Sequence, residues 1–413
     1  MRLAGRTYAG IATLAAPLLR RMLERRIALG KEIGERLPER RGQATLARPE
    51  GRLFWFHAAS VGETLSLLPV IGALEGRARV LLTTGTVTAA RLAAERLPEF
   101  ALHQFAPLDV PGWVRRFLDH WRPDCSVFVE SELWPATLIA LDARRIPRFL
   151  VNASLSARSA ARWRRAPGLA RDLLGGFRAV HAQSSADAER LAALGAAPVL
   201  RWGNLKYASA LLPVDEAALA DMRRELQGPV WVAASTHPGE ETVVIAAHRL
   251  LAQRLPEITT VIVPRHPARG AEIAALAGGL PVARRAQGAS PRGGIYVADT
   301  LGELGLFYRL CPCAFVGGSL VAIGGHNLAE AARLGAALLT GPDTREIAEQ
   351  VETLRQARAL TEVTDANSLA AGVLALLEDE VAALEMGARG LRAFDGFADL
   401  PARLAALILE ACS

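Results

Sequence analysis

"RLFWFHAASVGETLSLLPVIGAL", residues 52–74, decides the fold. "RLFWFHAA" is a short apolar run of the kind that forms a strand, and "ETLSLLPVIGAL" carries a helical pattern directly after it. The same alternation follows in "RVLLTTGT" (79–86) and "VTAARLAAERL" (87–97), and strands recur at "CSVFVE", "RFLVNAS" and "AVHAQS". Strands separated by helices of about 10–15 residues predict right-handed βαβ units on a parallel sheet. The pattern restarts at "PVWVAAST" (229–236) and continues through "TTVIVPRHP", "GIYVADT", "CAFVGGS" and "AALLTGP". Between the halves lies a polar helical connector, "LLPVDEAALADMRRELQG" (211–228). The fold class is therefore α/β, with two doubly wound domains. Such sheets bind ligands beyond the carboxyl ends of their strands, so a pair of them is expected to bind in the cleft between.

Composition narrows the function. A chain of 413 residues that is 51% apolar and 22% charged folds and has room for two cores. The formal charge of +6 is not spread evenly: residues 1–48 hold eleven Arg or Lys and four Glu, and the rest of the chain is close to neutral. A body without net basic charge does not track a phosphate backbone, so no nucleic-acid partner is expected. The basic segment contains "YAGIATLAAPLL" (8–19), flanked by Arg2, Arg6 and "RRMLERR". Twelve apolar residues do not span a bilayer, which takes about 20. An amphipathic helix lying on an anionic membrane surface fits the pattern; a helix packed on the protein's own core is the other reading. Cys125, Cys311, Cys313 and Cys412 are scattered and read as buried small side chains in a reducing compartment. No metal site is expected from the spacing of His, Cys and Asp.

The unusual residues fall at the predicted carboxyl ends. Of 48 basic residues only Lys31 and Lys206 are lysine, and three of four asparagines (Asn152, Asn204, Asn327) sit at strand-to-helix junctions. A lysine kept in an arginine-rich chain marks "GNLKY" (203–207). In "FVGGSLVAIGGHNLAEAARLG" (315–335), backbone N–H groups of a glycine turn and a helix start predict an anion site. "PRHPARG" (264–270) offers Arg265 and His266, and "STHPGEE" (235–241) opens another helix. "ADTLGEL" (298–304) predicts a capping box from Thr300 to Glu303, as does Ser60-Val-Gly-Glu63 in the opening stretch. In "VESELWPA" (129–136), Glu130 and Glu132 are two apart and are expected to face the same way, one with a raised pKa. Acids and a lysine in the first half, with anion-binding loops in the second, suit a transferase that holds a nucleotide-activated donor apart from its acceptor.

"HAASVGE", "ESELWPA", "GNLK", "STHPGEE", "PRHP", "DTLGEL" and "FVGGSLV…GGHN", in this order, closely resemble the Kdo transferases, which move 3-deoxy-D-manno-octulosonic acid from CMP-Kdo to a lipid A precursor. The resemblance implies a GT-B fold, peripheral attachment to the cytoplasmic face of the inner membrane, inversion at the anomeric carbon, and no cofactor. It implies Glu63 as general base, Glu130 and Lys206 as transition-state groups, and a CMP site at Arg265, His266, Leu301, Gly302, Glu303, Asn327 and Glu330. The expected organisation is an arm over 1–48, an acceptor domain over 49–210, a linker over 211–228 and a CMP-sugar domain over 229–413 with closing helices. The residue after "ELWP" is Ala136 where the family has asparagine, Ser154 stands in place of the arginine of the family's "NARLS", and "TMTPTG" and "GGHNPLEP" are altered too. Those changes bear on the acceptor and on the number of units added. Two other readings share the architecture: a GT-B enzyme of UDP-sugars, transferase or epimerase, and a membrane-attached relative that binds CMP without turnover.

Overall fold

A computed structural model describes residues 3–208 and 211–412. It divides into two compact units, one formed by the chain before residue 209 together with Phe397 onward, the other by the stretch ending at Gly396. The expected domain boundary at 210 lies outside the described residues, as do Arg2 and the side chain of Arg6.

The first unit is a parallel sheet in the order β3-β2-β1-β4-β5-β6-β7. Its strands are β1 (Leu53–Ala58), β2 (Arg79–Thr84), β3 (Ala101–Phe105), β4 (Cys125–Val129), β5 (Arg148–Ala153), β6 (Ala179–Ala182) and β7 (Val199–Leu200). Every residue of β1 is buried, because its side chains alternate between two cores. Leu53 and Trp55 join Phe117, Trp121 and Phe128 on one face, while Phe54, Phe56 and Ala58 join Val70, Ile71 and Val127 on the other. The chain runs outward from β1 to β3 and then returns to β4 on the other side of β1. The loops after β1 and β4 therefore leave a crevice where the strand order reverses.

The second unit repeats the plan in the order β10-β11-β9-β8-β12-β13-β14. Here β8 spans Val230–Thr236, β9 Thr259–Pro264, β10 Val282–Arg284, β11 Gly294–Val297, β12 Cys313–Val316, β13 Ala337–Thr340 and β14 Leu360–Glu362. Its reversal lies between β8 and β12, so the loops carrying His237 and the glycine turn come together.

Three expected boundaries change. Helix Leu400–Ala411 does not close the second unit: Leu400, Leu404, Ala405 and Ile408 are buried in the first unit's core with Phe54 and Phe56. The polar stretch 211–228 is not a free linker, because helix Glu216–Glu225 buries Leu219 and Met222, and Arg309 donates to the Leu212 carbonyl at 2.9 Å. Nor is 1–48 a separate arm. Buried Glu39 accepts the N–H of Phe105 at 2.7 Å and pairs with Arg36. Buried Arg40 pairs with Glu32 and donates to the carbonyls of Thr84, Gly85 and Ala106. Within this segment, helix Leu3–Ala28 leaves one face exposed, a stripe of Ile11, Leu14, Leu18 and Met22. Among the described residues no helix is long and apolar enough to cross a membrane.

Candidate active site

In the first unit the site is built at the β1/β4 reversal. Ser60, extended at φ −122°, caps helix Val61–Gly72 and accepts the N–H of Glu63 at 3.3 Å. The Glu63 carboxylate turns back over the helix start, accepting the Ser60 hydroxyl at 2.8 Å and the Ala59 N–H at 2.7 Å. Capping and burial therefore coincide in one side chain. Burial raises the Glu63 pKa; the bonds from Ala59 and Ser60 oppose that shift, and the charges of Glu130 and Glu132 add to it.

Glu130 and Glu132 do not face the same way. β4 ends at Val129, and Glu130 has a left-handed backbone with φ 55°, so strand alternation stops there. Glu130 accepts Lys206 Nζ at 2.7 Å. Glu132 instead faces His57 Nε2 at 3.3 Å and the Trp134 indole N–H. Burial works to raise Glu132, but the bonds from His57 and Trp134 outweigh it and hold this carboxyl below its usual range. Burial raises the Glu63 carboxyl, whereas Glu132, expected as a candidate for a raised pKa, moves down.

Lys206 is positioned by both nearby asparagines. Asn152 Oδ1, at the end of β5, accepts the Leu205 N–H at 2.8 Å, and Asn204 Oδ1 accepts the Lys206 N–H at 2.9 Å. Asn152 is itself left-handed, and its N–H donates to His181 Nδ1, a histidine whose pKa burial pushes down to about 4. Only the scarcity of asparagine hinted at this arrangement.

In the second unit the glycine turn differs from expectation. The buried Glu240 carboxylate accepts N–H groups from Gly318 (2.7 Å), Ser319 (3.1 Å), Leu320 (3.0 Å) and His237 (3.0 Å). The turn's donors hold an internal anion and are not open to an external one. Gly317 is required by this contact, since a Cβ there would lie 2.7 Å from Glu240 Oε2. The following helix, Leu328–Ala332, also has its first N–H groups satisfied, by Gln350 Oε1 and Asn327 Oδ1. Glu240 and Gln350 escaped the sequence reading. The doublet Glu240-Glu241 at a helix start was the available signal for the first, and nothing marked the second.

What faces outward in this unit is side chains. Arg265 and His266 are exposed after β9. His237 and His326 stack at 4.9 Å with Nε2 atoms 2.7 Å apart, and the His266 ring stands perpendicular to His237 at 6.0 Å. Burial lowers the pKa of His237 and of His326; the Arg265 charge adds to this for both rings, while the Glu240 carboxylate opposes it. Asn327 donates to Glu330 at 3.0 Å; burial raises Glu330, while Asn327 and the Arg265 charge pull it down. Leu301 is 85% exposed, beside Gly302 at φ 85°. The expected capping box at Thr300 does not form. Helix Leu304–Leu310 begins after Glu303, and the Glu303 carboxylate is drawn to Arg285 at 2.6 Å while also accepting the Thr300 hydroxyl. The bond to Arg285 holds Glu303 below its usual range. The first unit thus brings Glu130 and Lys206 into contact near Glu63, and the second groups His266 and Arg265 with His237, His326 and the Asn327–Glu330 pair. Leu301, Gly302 and Glu303 follow β11, with Glu303 held by Arg285.

The profile of a family described as "3-Deoxy-D-manno-octulosonic-acid transferase (kdotransferase)" matches residues 35–209. A "Probable 3-deoxy-D-manno-octulosonic acid transferase, mitochondrial" from Arabidopsis thaliana is 38% identical over 374 residues, covering 86% of this chain and 83% of that one. The chain belongs to the Kdo transferase family. A Haemophilus influenzae member, 3-deoxy-D-manno-octulosonic acid transferase, is 32% identical, with 86% of each chain covered. Among solved structures, UDP-GlcNAc 2-epimerase from Neisseria meningitidis aligns with a TM-score of 0.60, at 16% identity, over 87% of this chain and all of its own. MurG from Acinetobacter baumannii aligns at 0.54 and 12% identity, over 87% of this chain and all of its own. These likenesses show the fold alone, that of GT-B glycosyltransferases and their relatives.

Proposed function

We propose that this Kdo transferase moves Kdo from CMP-Kdo to a lipid A precursor in lipopolysaccharide biosynthesis, at the cytoplasmic face of the inner membrane, with inversion at the anomeric carbon. The observation that carries the mechanism is the Glu63 carboxylate, buried at a helix start with its pKa raised and both its present hydrogen bonds local. Glu63 takes the proton of the acceptor hydroxyl as that oxygen attacks the ketosidic carbon and the bond to the CMP phosphate breaks. Lys206, steadied by Glu130, places positive charge at the reacting centre.

The second unit holds the donor. Because Glu240 consumes the glycine-turn amides, the CMP phosphate is met by side chains: Arg265, with His266, His237 and His326 around it. Leu301, with Gly302 and Glu303, offers an apolar contact to the base, and Asn327 with Glu330 offers hydrogen bonds to the nucleoside. Side chains supply every charge in this proposed step, so enzyme treated with a chelator is expected to keep its rate. The basic, apolar-striped helix Leu3–Ala28 supplies the membrane contact.

The test offers CMP-Kdo and UDP-sugars in parallel with a tetra-acylated lipid A precursor. Release of CMP together with a lipid product heavier by whole Kdo units is expected. Release of UDP, or CMP binding without product, rejects the assignment.

A further inference from the structure

We infer that the cavity in the first unit beside Glu63 is a slot for a fatty-acyl chain of the acceptor, an inference that rests on the lipid acceptor proposed above. The cavity measures about 250 Å³ and is walled chiefly by Trp55, Phe128, Trp134, Leu108, Pro107 and Ala106, with Ala59 at the Glu63 end. Ala59 joins the two sites: it lines the cavity, and its N–H is held by the Glu63 carboxylate at 2.7 Å.

The hydrogen bonds decide what fits. Sites for sugars or phosphates keep a few polar groups free to orient the ligand. Here the polar side chains in the wall are already engaged. All five N–H donors of Arg40 are used, on Glu32 and on the carbonyls of Thr84, Gly85 and Ala106. Trp55 Nε1 donates to Thr83 at 2.8 Å, and Trp134 Nε1 donates to Glu132. His57 is engaged at both nitrogens, by Thr83 and by Glu132. The Thr137 hydroxyl donates to Asp109 at 2.7 Å, and Thr86 Oγ1 accepts the Ala89 N–H. A polar ligand would lose its water here and find no partner in exchange. A hydrocarbon chain has no hydrogen bonds to give up here and keeps its apolar surface out of water.

The approach points to the same occupant. Asp109, which holds Thr137 and the Ala136 N–H in the cavity wall, also accepts the Tyr8 hydroxyl at 2.9 Å. Tyr8 sits on the helix whose exposed stripe includes Leu14, 82% exposed. An apolar surface and an apolar slot are thus joined through a single carboxylate. Trp134 both lines the cavity and is 39% exposed to solvent. A lipid seated with one chain in the slot would present its head-group hydroxyl towards Glu63.

The experiment compares a tetra-acylated lipid A precursor with its de-acylated counterpart, using full-length wild type, Ala106→Phe to fill the slot and Trp134→Ala to open it. In wild type, removing the chains should raise the acceptor KM about tenfold or more. In Ala106→Phe the two acceptors should become equivalent, with the KM for CMP-Kdo unchanged as the check on folding. Trp134→Ala should weaken the preference without abolishing it. Equal KM values for both acceptors in wild type would overturn the acyl slot and leave the transferase assignment standing. A chain preference that persists undiminished in Ala106→Phe would place the chain elsewhere and overturn it as well. Absence of CMP release with either acceptor counts against the transferase reading itself.

Discussion

Glu63 caps a helix and is the base in the proposed mechanism, and the two jobs respond differently to one substitution. Glutamine keeps the side chain's length and can still accept one of the two local hydrogen bonds, so Glu63→Gln should melt close to wild type. It cannot take a proton, so turnover should fall about 10²–10⁴-fold. The pH profile gives a sharper check. The Glu63 pKa is raised, chiefly by burial, so the base form appears only as pH climbs through a value above the usual carboxylate range. The acid limb of kcat/KM should therefore lie higher than an ordinary glutamate would place it, and it should vanish in Glu63→Gln. Stability runs the opposite way: a raised folded-state pKa favours folding in the protonated form and loses that contribution as pH rises through it. Ser60→Ala should cost about 1 kcal/mol of stability and much less of the rate. Glu240 is the counterpart in the second unit. Glu240→Ala leaves four N–H groups without their acceptor, three of them on the glycine turn. Calorimetry should show CMP binding lost, together with a clear drop in melting temperature.

Elements were legible in proportion to how much of them is buried. β1, β4, β5, β8, β9 and β12 announce themselves as apolar runs because both their faces are covered. The four strands that the reading missed, β3, β7, β10 and β14, are the four sheet edges. They are short and partly exposed, with sequences such as "VAR" and "LTE", so burial never imposed an apolar pattern on them. The site shows the same divide. Glu63, Glu130 and Lys206 stood out by position and rarity, and the structure brings Glu130 and Lys206 into contact. The carboxylate that organises the glycine turn did not stand out, because its partners lie 78 to 80 residues away. Helix Leu3–Ala28 supports a prediction of its own. Replacing Ile11, Leu14 and Leu18 with serine should release the protein from anionic vesicles in a sedimentation assay. The melting temperature should hold, since these side chains are exposed. Deleting residues 1–40 is a poorer test, because it also removes Glu32, Glu39 and Arg40 from the packed unit.

At the scale of the molecule, one unit is continuous in sequence and the other is not. Residues 211–396, produced alone, should fold cooperatively and bind CMP, because every side chain assigned to the nucleotide lies within them. Removing 400–413 should instead destabilise the first unit. Leu400, Leu404 and Ile408 are fully buried there, and each contributes about 1.5–3 kcal/mol. Two thermal transitions should report this, with only one of them moving in the truncated protein.

That returning helix also sets an order of events on the ribosome. Most of the first unit is translated before the second, yet the residues that complete its core leave the exit tunnel only after the second unit has been made. Until they emerge, an apolar groove beside Phe54 and Phe56 stays open, while the second unit can already be whole. A nascent chain stalled short of helix Leu400–Ala411 would therefore carry a finished second unit and a sticky, unfinished first one, the kind of surface that holding chaperones bind.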